Sequence, residues 1–211
     1  MQNIKEILSS FKKEDFEKDV NLHIHTIFSD GKSTPEEILN QAKKLNMKKI
    51  AICDHNTIKA YEDKDILNSD LIIPAIEFDC WFMGCLIHIL GYGIDVKNKE
   101  LLSFCAKTQA GTRADIVRLF SFRNTQKVIK AIHNAGGIAI LAHPACCWNP
   151  SLNFLVKKLI KIGIDGLEVY YTYKRHRSIL KFHSEKKVER IANKYNLIKT
   201  GGTDEHGSLK K

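Results

Sequence analysis

The chain has 211 residues, of which 44% are hydrophobic, so it is long enough to bury one sizeable core and has the composition of an ordinary folded domain. Its longest apolar stretches, such as 138–142, have the length of a strand and fall far short of the roughly 20 residues of a membrane helix. The N-terminal segment mixes acids and lysines from residue 5 onward, unlike a secretory signal. We therefore expect a single domain, residues 1–211, that is cytoplasmic and has no membrane contact.

The spacing of the cysteines and the distribution of charge indicate which bonds and ligands the chain could form. Six cysteines are spread along the chain without a CxxC pair, which favours reduced structural thiols over disulfides or a zinc knuckle. The formal charge is +9, and the basic surplus lies in the second half: 14 basic and 17 acidic residues in 1–110, against 19 and 7 in 111–211. Such a surplus suits an anionic substrate, whereas a solvated lysine-rich face is the alternative.

Hydrophobic periodicity gives the elements in chain order. Near-helical spacing over 4–18 predicts a helical extension, residues 1–19, before the first strand at 20–25. Thr34, Pro35 and Glu37 have the capping pattern of a helix start. The further predicted strands cover 49–53, 71–78, 86–92, 138–142, 166–170 and 197–200. The further predicted helices cover 57–64, 98–122 with a break at Gly111, 126–135, 153–162 and 177–195.

The alternation of these elements predicts the fold class. Strands that are nearly continuous in apolar residues and alternate with helices are typical of an α/β protein with a largely parallel sheet. Seven strand candidates favour a closed or partly closed β/α barrel, and a doubly wound open sheet is the alternative.

Side chains that can bind metal ions recur at the predicted strand ends. The C-terminal ends of parallel strands meet at one mouth, so six of the nine histidines are expected to converge there. The residues in question are His23, His25, Asp54, His55, Glu77, His88, His143, Asp204 and His206. On a strand, positions i and i+2 share a face, so His23 and His25 project two imidazoles side by side, as does the Asp204-x-His206 pair if it is extended.

The ligand types indicate which ions would fit. Imidazole with carboxylate favours Zn, Mn or Fe over a calcium site or a cysteine-type zinc site. The set exceeds what one tetrahedral ion can use, whereas two or three divalent ions bridged by a carboxylate would use it fully and could polarise a phosphoryl oxygen. A hydrogen-bonded polar network at the strand ends is the alternative.

The segments that carry these residues resemble a known family. In chain order they read NLHIHTIFSDGKSTPEEI, IAICDHNT, IIPAIEF, IHILGYGID, AGGIAILAHP, GIDGLEVYY and TGGTDEHG. This combination resembles the PHP (polymerase and histidinol phosphatase) domain superfamily of metal-dependent phosphoesterases. The resemblance implies a distorted seven-stranded (β/α)7 barrel, with a site for three metal ions at the C-terminal ends of the strands.

The resemblance also implies a distribution of ligands over the ions. The ligands implied for the first ion are His23, His25, Glu77 and Asp204. Those implied for the second are Asp30, His55 and His206, and for the third Glu77, His88 and His143, with Glu77 as the bridge. Asp54 would orient a ligating imidazole from behind. A hydroxide bridging the ions would attack phosphorus, and we expect Glu77, Asp204 and His206 to be catalytic.

The substrate is the least specific part of the prediction. The motifs look most like the branch of nucleotide phosphatases and an RNA 5′ exonuclease, whose members commonly carry a longer insertion where this chain has only residues 96–134, a shortened helical insertion. Cationic side chains expected to contact a phosphate are Arg113, Lys174, Arg175 and Arg177.

We therefore expect hydrolysis of a phosphomonoester or a terminal phosphodiester of a nucleotide or short nucleic acid, with no obligate protein partner. Two alternatives stay open. One is a histidinol-phosphate phosphatase. The other, from a different class, is a non-catalytic metal-stabilised module that binds nucleic acid or a protein.

Overall fold

The computed structural model describes residues 3–171 and 182–209, and within these ranges seven strands and ten α-helices are formed. The strands are β1 (Val20–Ile24), β2 (Lys49–Ile52), β3 (Ala75–Phe82), β4 (Cys85–Tyr92), β5 (Ile138–Leu141), β6 (Gly166–Tyr171) and β7 (Ile198–Gly202). The helices are α1 (Ile4–Ser10), α2 (Lys13–Phe16), α3 (Pro35–Lys44), α4 (Lys64–Leu67), α5 (Lys99–Ser103), α6 (Ala110–Arg113), α7 (Asp115–Leu119), α8 (Thr125–Asn134), α9 (Leu152–Lys161) and α10 (Glu185–Lys194). Two 3-10 helices cover Lys59–Glu62 and Pro144–Cys146.

The seven strands form two hydrogen-bonded sheets. β1 pairs in parallel with β2, and the other five strands follow the order β3-β4-β5-β6-β7. β4 is antiparallel to both of its neighbours, whereas β5, β6 and β7 run parallel. Isolated bridges at Ile24–Glu205, Ile50–Ile72 and His55–Glu77 join the sheets. The predicted α/β class is confirmed, but a closed (β/α)7 barrel is not, because these seams carry single bridges instead of continuous ladders.

The β3–β4 hairpin explains the departure from a largely parallel sheet. Its two-residue loop is Met83-Gly84, and both residues have positive φ, 53° and 73°, as in the type I′ turns that suit hairpins. Glycine takes this conformation without a steric cost. The register then sets Asp79 opposite His88. Because both strands are buried almost throughout, their sequences lack the polar alternation of a half-exposed hairpin.

Local chemistry accounts for some helices and tertiary contacts for others. α3 begins as predicted, with Thr34 and Glu37 exchanging side-chain to backbone hydrogen bonds in a capping box. The helix predicted over 98–122 is instead divided into α5, α6 and α7, and Gly111 lies inside α6. Between α5 and α6 the Ala106 amide donates to the carbonyl of Asn56, so the backbone there bonds to the loop after β2 instead of continuing a helix.

A buried apolar cluster joins the two sheets. It contains Leu22 of β1, Ala51 of β2 and Leu90 of β4, and α1 adds Leu8 to it. The N-terminal helices therefore contribute to the core. The six cysteines all lie in the described ranges and form no disulfide with one another. Across 3–171 and 182–209, none of the helices combines the length and the apolar character needed to cross a bilayer.

One buried phenol closes the seam between the sheets. Tyr61 Oη donates to the Ile52 carbonyl at 2.7 Å and accepts from the Ala75 amide at 2.8 Å, which links the last residue of β2 to the first residue of β3. Tyr61→Phe would leave both buried backbone groups without this partner, so we expect the free energy of unfolding to fall by about 1–3 kcal/mol.

Urea denaturation measures this loss. Tyr195→Phe is the matched control, because Tyr195 is only half-buried and its hydroxyl donates to the Asn153 side chain at 3.2 Å. Equal losses in the two variants would contradict the role assigned to Tyr61.

Candidate metal centre

The strand ends bring imidazoles and carboxylates into one buried cluster. β1 contributes His23, with His25 directly after it, and β3 contributes Glu77. The remaining members follow β2, lie in β4, or follow β5 and β7: His55, His88, His143, Asp204 and His206. Asp30 joins them from the loop after β1. Every ligand predicted from the sequence thus lies in this cluster.

Glu77 lies at the centre of the cluster. Its carboxylate is almost fully buried, and ring nitrogens of five histidines lie within 3.3 Å of its two oxygens. Oε2 faces three imidazoles and Oε1 faces two. The first three are His23, His25 and His55, and the other two are His88 and His143. One carboxylate therefore touches residues from, or directly after, four different strands.

The donor atoms fall into four overlapping groups, each compact enough to hold one ion. Within each group all donor atoms lie within 4.8 Å of one another. The groups are His25–Asp30–His55–His206, His23–His25–Asp204, His55–Asp79–His88 and Glu77–His88–His143. The fourth group is the same as the third predicted set, and the first group contains the whole second predicted set with His25 added. The second group contains the first predicted set without Glu77, and Asp79 in the third group is an addition. The assignment of ligands to particular ions stays a prediction.

The buried donor atoms fit a metal ion. His25 Nε2, His55 Nδ1 and Asp30 Oδ1 are buried and make no well-directed hydrogen bond within the described ranges. Each nevertheless faces a group of the cluster: Asp204 at 2.9 Å, Asp79 at 3.4 Å and His206 at 3.3 Å, respectively. Buried polar atoms without a well-directed hydrogen bond are costly, and a divalent cation bound by imidazole and carboxylate would remove that cost.

The electrostatics of the cluster point to competition between metal ions and protons. Burial lowers the pKa of His25, but the Asp204 and Glu77 carboxylates outweigh this effect and raise the pKa to about 10. Burial raises the pKa of Glu77, but the surrounding imidazoles, His55 foremost, hold it well below its ordinary value. The carboxylates are thus ionised, and their charge can be balanced by imidazolium protons or by metal ions, which compete for the same ring nitrogens.

Tight backbone geometry sets the ligands at the mouth. A Cβ on Gly31 would lie 2.3 Å from the His25 carbonyl oxygen, so only glycine lets the loop carrying Asp30 fold back onto the end of β1. His143 and Asp204 have φ of 30° and 51°, in the left-handed region that non-glycine residues seldom occupy. Such strained residues concentrate at functional sites.

Two buried acids that the sequence analysis missed support the imidazoles. Glu168, fully buried in β6, accepts from His23 Nδ1 at 2.9 Å and from the His143 amide at 2.7 Å. Asp79, two residues after Glu77 on the same face of β3, lies 3.2 Å from His88 Nε2 and 3.4 Å from His55 Nδ1. Single acids within otherwise apolar strands, as in GLEVYY and IEFDC, were the available signal.

Asp54 supports the cluster through a loop. Its carboxylate accepts from the Thr26 amide at 2.7 Å, the Thr26 hydroxyl at 2.6 Å and the Ser29 hydroxyl at 2.6 Å. The Ser29 hydroxyl also lies 3.4 Å from His25 Nδ1. The predicted orientation of an imidazole by Asp54 is therefore indirect in these contacts, because Asp54 shapes the turn that leads from His25 to Asp30.

Arg118 reaches the cluster, whereas the guanidinium of Arg113 is bonded elsewhere. Arg113 is exposed, and its guanidinium donates to the carbonyl of Ile27. Arg118, on α7, is buried, and its Nη1 lies 3.0 Å from Asp30 Oδ2. The other predicted phosphate contacts, Lys174, Arg175 and Arg177, lie outside the described residues.

Two bacterial enzymes resemble this chain in amino-acid sequence. The phosphoribosyl 1,2-cyclic phosphate 1,2-diphosphodiesterase of Eggerthella lenta is 22% identical over an alignment of 256 positions, gaps included. The alignment covers 90% of this chain and 94% of the relative. The 5'-3' exoribonuclease Rnm of Salmonella typhimurium is 34% identical over 92 residues, 41% of this chain and 31% of the relative.

Solved structures share the fold. A Bifidobacterium adolescentis protein described as a metal-dependent phosphoesterase superimposes with a TM-score of 0.67 at 23% identity, covering 92% of this chain and 89% of the other. An amidohydrolase from Chromobacterium violaceum gives a TM-score of 0.67 at 17% identity, with 90% and 88% covered.

The donor cluster and the match to the PHP domain model place the chain among the metal-dependent phosphoesterases, which are hydrolases. The PHP domain model matches residues 21–200, and the chain therefore belongs to the PHP domain family.

Glu168 offers a test of how the ligands are held. Glu168→Gln keeps the shape of the side chain but removes the charge that accepts from His23 and holds the His143 backbone. We expect metal affinity to fall by roughly 10- to 100-fold, the usual effect of losing a carboxylate behind a ligating histidine. Isothermal titration of Mn²⁺ into metal-free protein measures the change. Glu36→Gln, on the exposed face of α3, is the control, and an unchanged affinity in Glu168→Gln would contradict the assignment.

Proposed function

We propose that the chain hydrolyses a phosphomonoester or a terminal phosphodiester of a nucleotide or short nucleic acid, using two or three divalent metal ions. The observation that carries the proposal is the buried Glu77 carboxylate with five imidazoles around it, next to buried donor atoms that lack well-directed hydrogen bonds. A purely structural metal site needs about four ligands around one closed ion, whereas this cluster offers ten donor residues.

In the proposed function the residues of the cluster bind the metal ions, and the ions activate the phosphate and water. The ligands proposed for the ions are His23, His25, Asp30, His55, Glu77, His88, His143, Asp204 and His206. Imidazole with carboxylate suits Mn, Zn or Fe. Such ions, when bound, polarise a phosphoryl oxygen and lower the pKa of water so that a nucleophile is available near neutral pH.

Residues of the chain then position the reacting groups. Glu77, between the histidine sets, would supply a ligand to more than one ion. Asp204 is buried against the histidines, whereas the His206 side chain is 35% exposed and would be accessible to a substrate phosphate. Tyr171 Oη donates to Asp204 Oδ2 at 2.7 Å, which holds one carboxylate oxygen in place and leaves Oδ1 directed at the His23 and His25 rings. The Arg118 guanidinium beside Asp30 adds positive charge at the same mouth.

The substrate class rests on the relatives and on charge. The Eggerthella lenta relative acts on a phosphoribosyl cyclic phosphate and the Salmonella relative on RNA, so both names carry a sugar-linked phosphodiester. The basic second half of the chain suits such anions. The named relatives do not favour the alternative of a histidinol-phosphate phosphatase.

Activity of ligand variants tests the proposal. Wild-type protein loaded with Mn²⁺ is expected to hydrolyse members of a panel of nucleoside monophosphates, nucleoside bisphosphates and 5′-phosphorylated oligoribonucleotides. His23→Ala and Asp204→Ala each remove a proposed ligand, so we expect kcat/KM to fall by at least about a hundredfold. Exposed His133 lies on α8 with Asp165 as its partner, and His133→Ala is the matched control. Equal turnover by wild type, His23→Ala and Asp204→Ala would refute the proposal.

Metal content separates an enzyme from a non-catalytic module. We expect elemental analysis of purified protein to find two to three ions per chain and activity to disappear after chelation and return on adding Mn²⁺. Fewer than one ion per chain, with a folded protein and no activity after loading, would favour the non-catalytic binding module.

A further inference from the structure

A cavity of about 390 Å³, a size typical of small-molecule sites, lies beside the metal centre. Two proposed ligands, His88 and His143, form part of its wall. The rest of the wall is mainly apolar and includes Trp81, Leu86, Leu119 and Trp148. A ligand in this cavity would therefore have one end at the ions and the other against hydrophobic side chains.

Both tryptophans of the chain line this cavity. Each is paired with a phenylalanine: Trp148 stacks on Phe182 at 5.7 Å between ring centroids, and Trp81 lies 5.9 Å from Phe122. Trp148 is 79% exposed and Phe122 is 74% exposed. Large aromatic side chains left in solvent beside a polar centre are characteristic of binding surfaces.

Hydrogen bonds hold the two aromatic pairs in place. The amides of Phe182 and His183 both donate to the Ala145 carbonyl, and His183 Nε2 donates to the Asn149 carbonyl at 2.8 Å. These bonds fasten the segment with Phe182 to the loop with Trp148. On the other side, Trp81 Nε1 donates to the Leu119 carbonyl at 2.8 Å, which fixes that indole against α7. The Trp81 indole is therefore oriented by a hydrogen bond and Trp148 by stacking on a tethered ring, which lowers the conformational entropy that ligand binding would lose.

We propose that this cavity is the subsite for a nucleobase of the substrate, with Trp148 as its main stacking residue. Every base has a π-face, so aromatic side chains stack on bases without regard to sequence. The apolar wall offers little to a base-free sugar phosphate, which would be held by its phosphate and hydroxyl groups alone. This inference rests on the proposed function, because it takes the phosphate to lie at the cluster that includes His88 and His143.

The test compares two phosphomonoesters that differ by the base, AMP and ribose 5-phosphate. Trp148→Ala is expected to raise KM for AMP roughly tenfold or more, in the range measured for the loss of one base–aromatic stack, and to leave kcat for AMP near its original value. KM for ribose 5-phosphate is expected to stay unchanged. Trp148→Phe keeps a stacking ring and should restore most of the affinity for AMP. Phe154→Ala removes an exposed aromatic on α9 that does not line the cavity and serves as the control.

A binding measurement keeps this inference separate from the proposed function. Because both tryptophans line the cavity, adenosine is expected to quench the intrinsic fluorescence, with weaker binding in Trp148→Ala and near-normal binding in Trp148→Phe. If no phosphoester is hydrolysed by the metal-loaded wild type, the proposed function fails, and quenching alone still decides on the subsite. The subsite is refuted if Trp148→Ala changes KM for AMP and ribose 5-phosphate equally or not at all, or if adenosine produces no quenching.

Discussion

A buried carboxylate that needs positive charge on several sides constrains this fold more than any other single group. Glu77 is almost fully removed from water, and the cost of burying an ionised acid is recovered only when cations or strong hydrogen-bond donors surround it. Imidazoles of five histidines occupy both of its oxygens. Because those histidines belong to β1, β4 or the residues after β1, β2 and β5, the two sheets must meet around Glu77. The isolated bridge between His55 and Glu77 lies at that meeting point.

Around this centre the polar residues are arranged so that each imidazole has a fixed orientation. Glu168 accepts hydrogen bonds from the Nδ1 ring nitrogen of His23 and from the backbone amide of His143. Asp54 holds the turn after His25 with three hydrogen bonds. The left-handed backbone of His143 and Asp204 costs on the order of 1–3 kcal/mol at each position. Strain of that size persists when neighbouring bonds determine the geometry, and the Glu168 bond to the His143 amide is one such bond. Ligand placement thus takes precedence over local backbone preference.

The sequence alone predicts most members of the cluster because each stands out from the residues around it. His23 and His25 interrupt an apolar strand at spacing two, and the other histidines and acids follow strand-like runs, so periodicity places them on one edge. Asp79 and Glu168 are less visible, since each lies inside a strand whose pairing decides what it faces. The antiparallel β3–β4 hairpin brings Asp79 to His88, and buried strands do not reveal their direction by composition. Arg118 rather than Arg113 reaches Asp30 because the helix expected over 98–122 is divided, which changes the face each arginine occupies.

The proposed metal ligands and the residues around them lie on different kinds of element, and this difference affects substrate specificity. All the proposed ligands except Asp30 lie on strands or within a few residues of them, whereas Arg118, Trp148 and Phe122 belong to connecting segments. Connecting segments tolerate changes in length and sequence that a buried cluster does not. A family can therefore keep one metal centre and vary its substrate through the segments around the mouth, as the different substrates named for the Eggerthella and Salmonella relatives illustrate. In this chain Leu119 lines the cavity, Phe122 packs on Trp81, and Trp148 belongs to the loop after β5. These connecting segments are therefore where the proposed preference for a base over a bare sugar phosphate would be encoded.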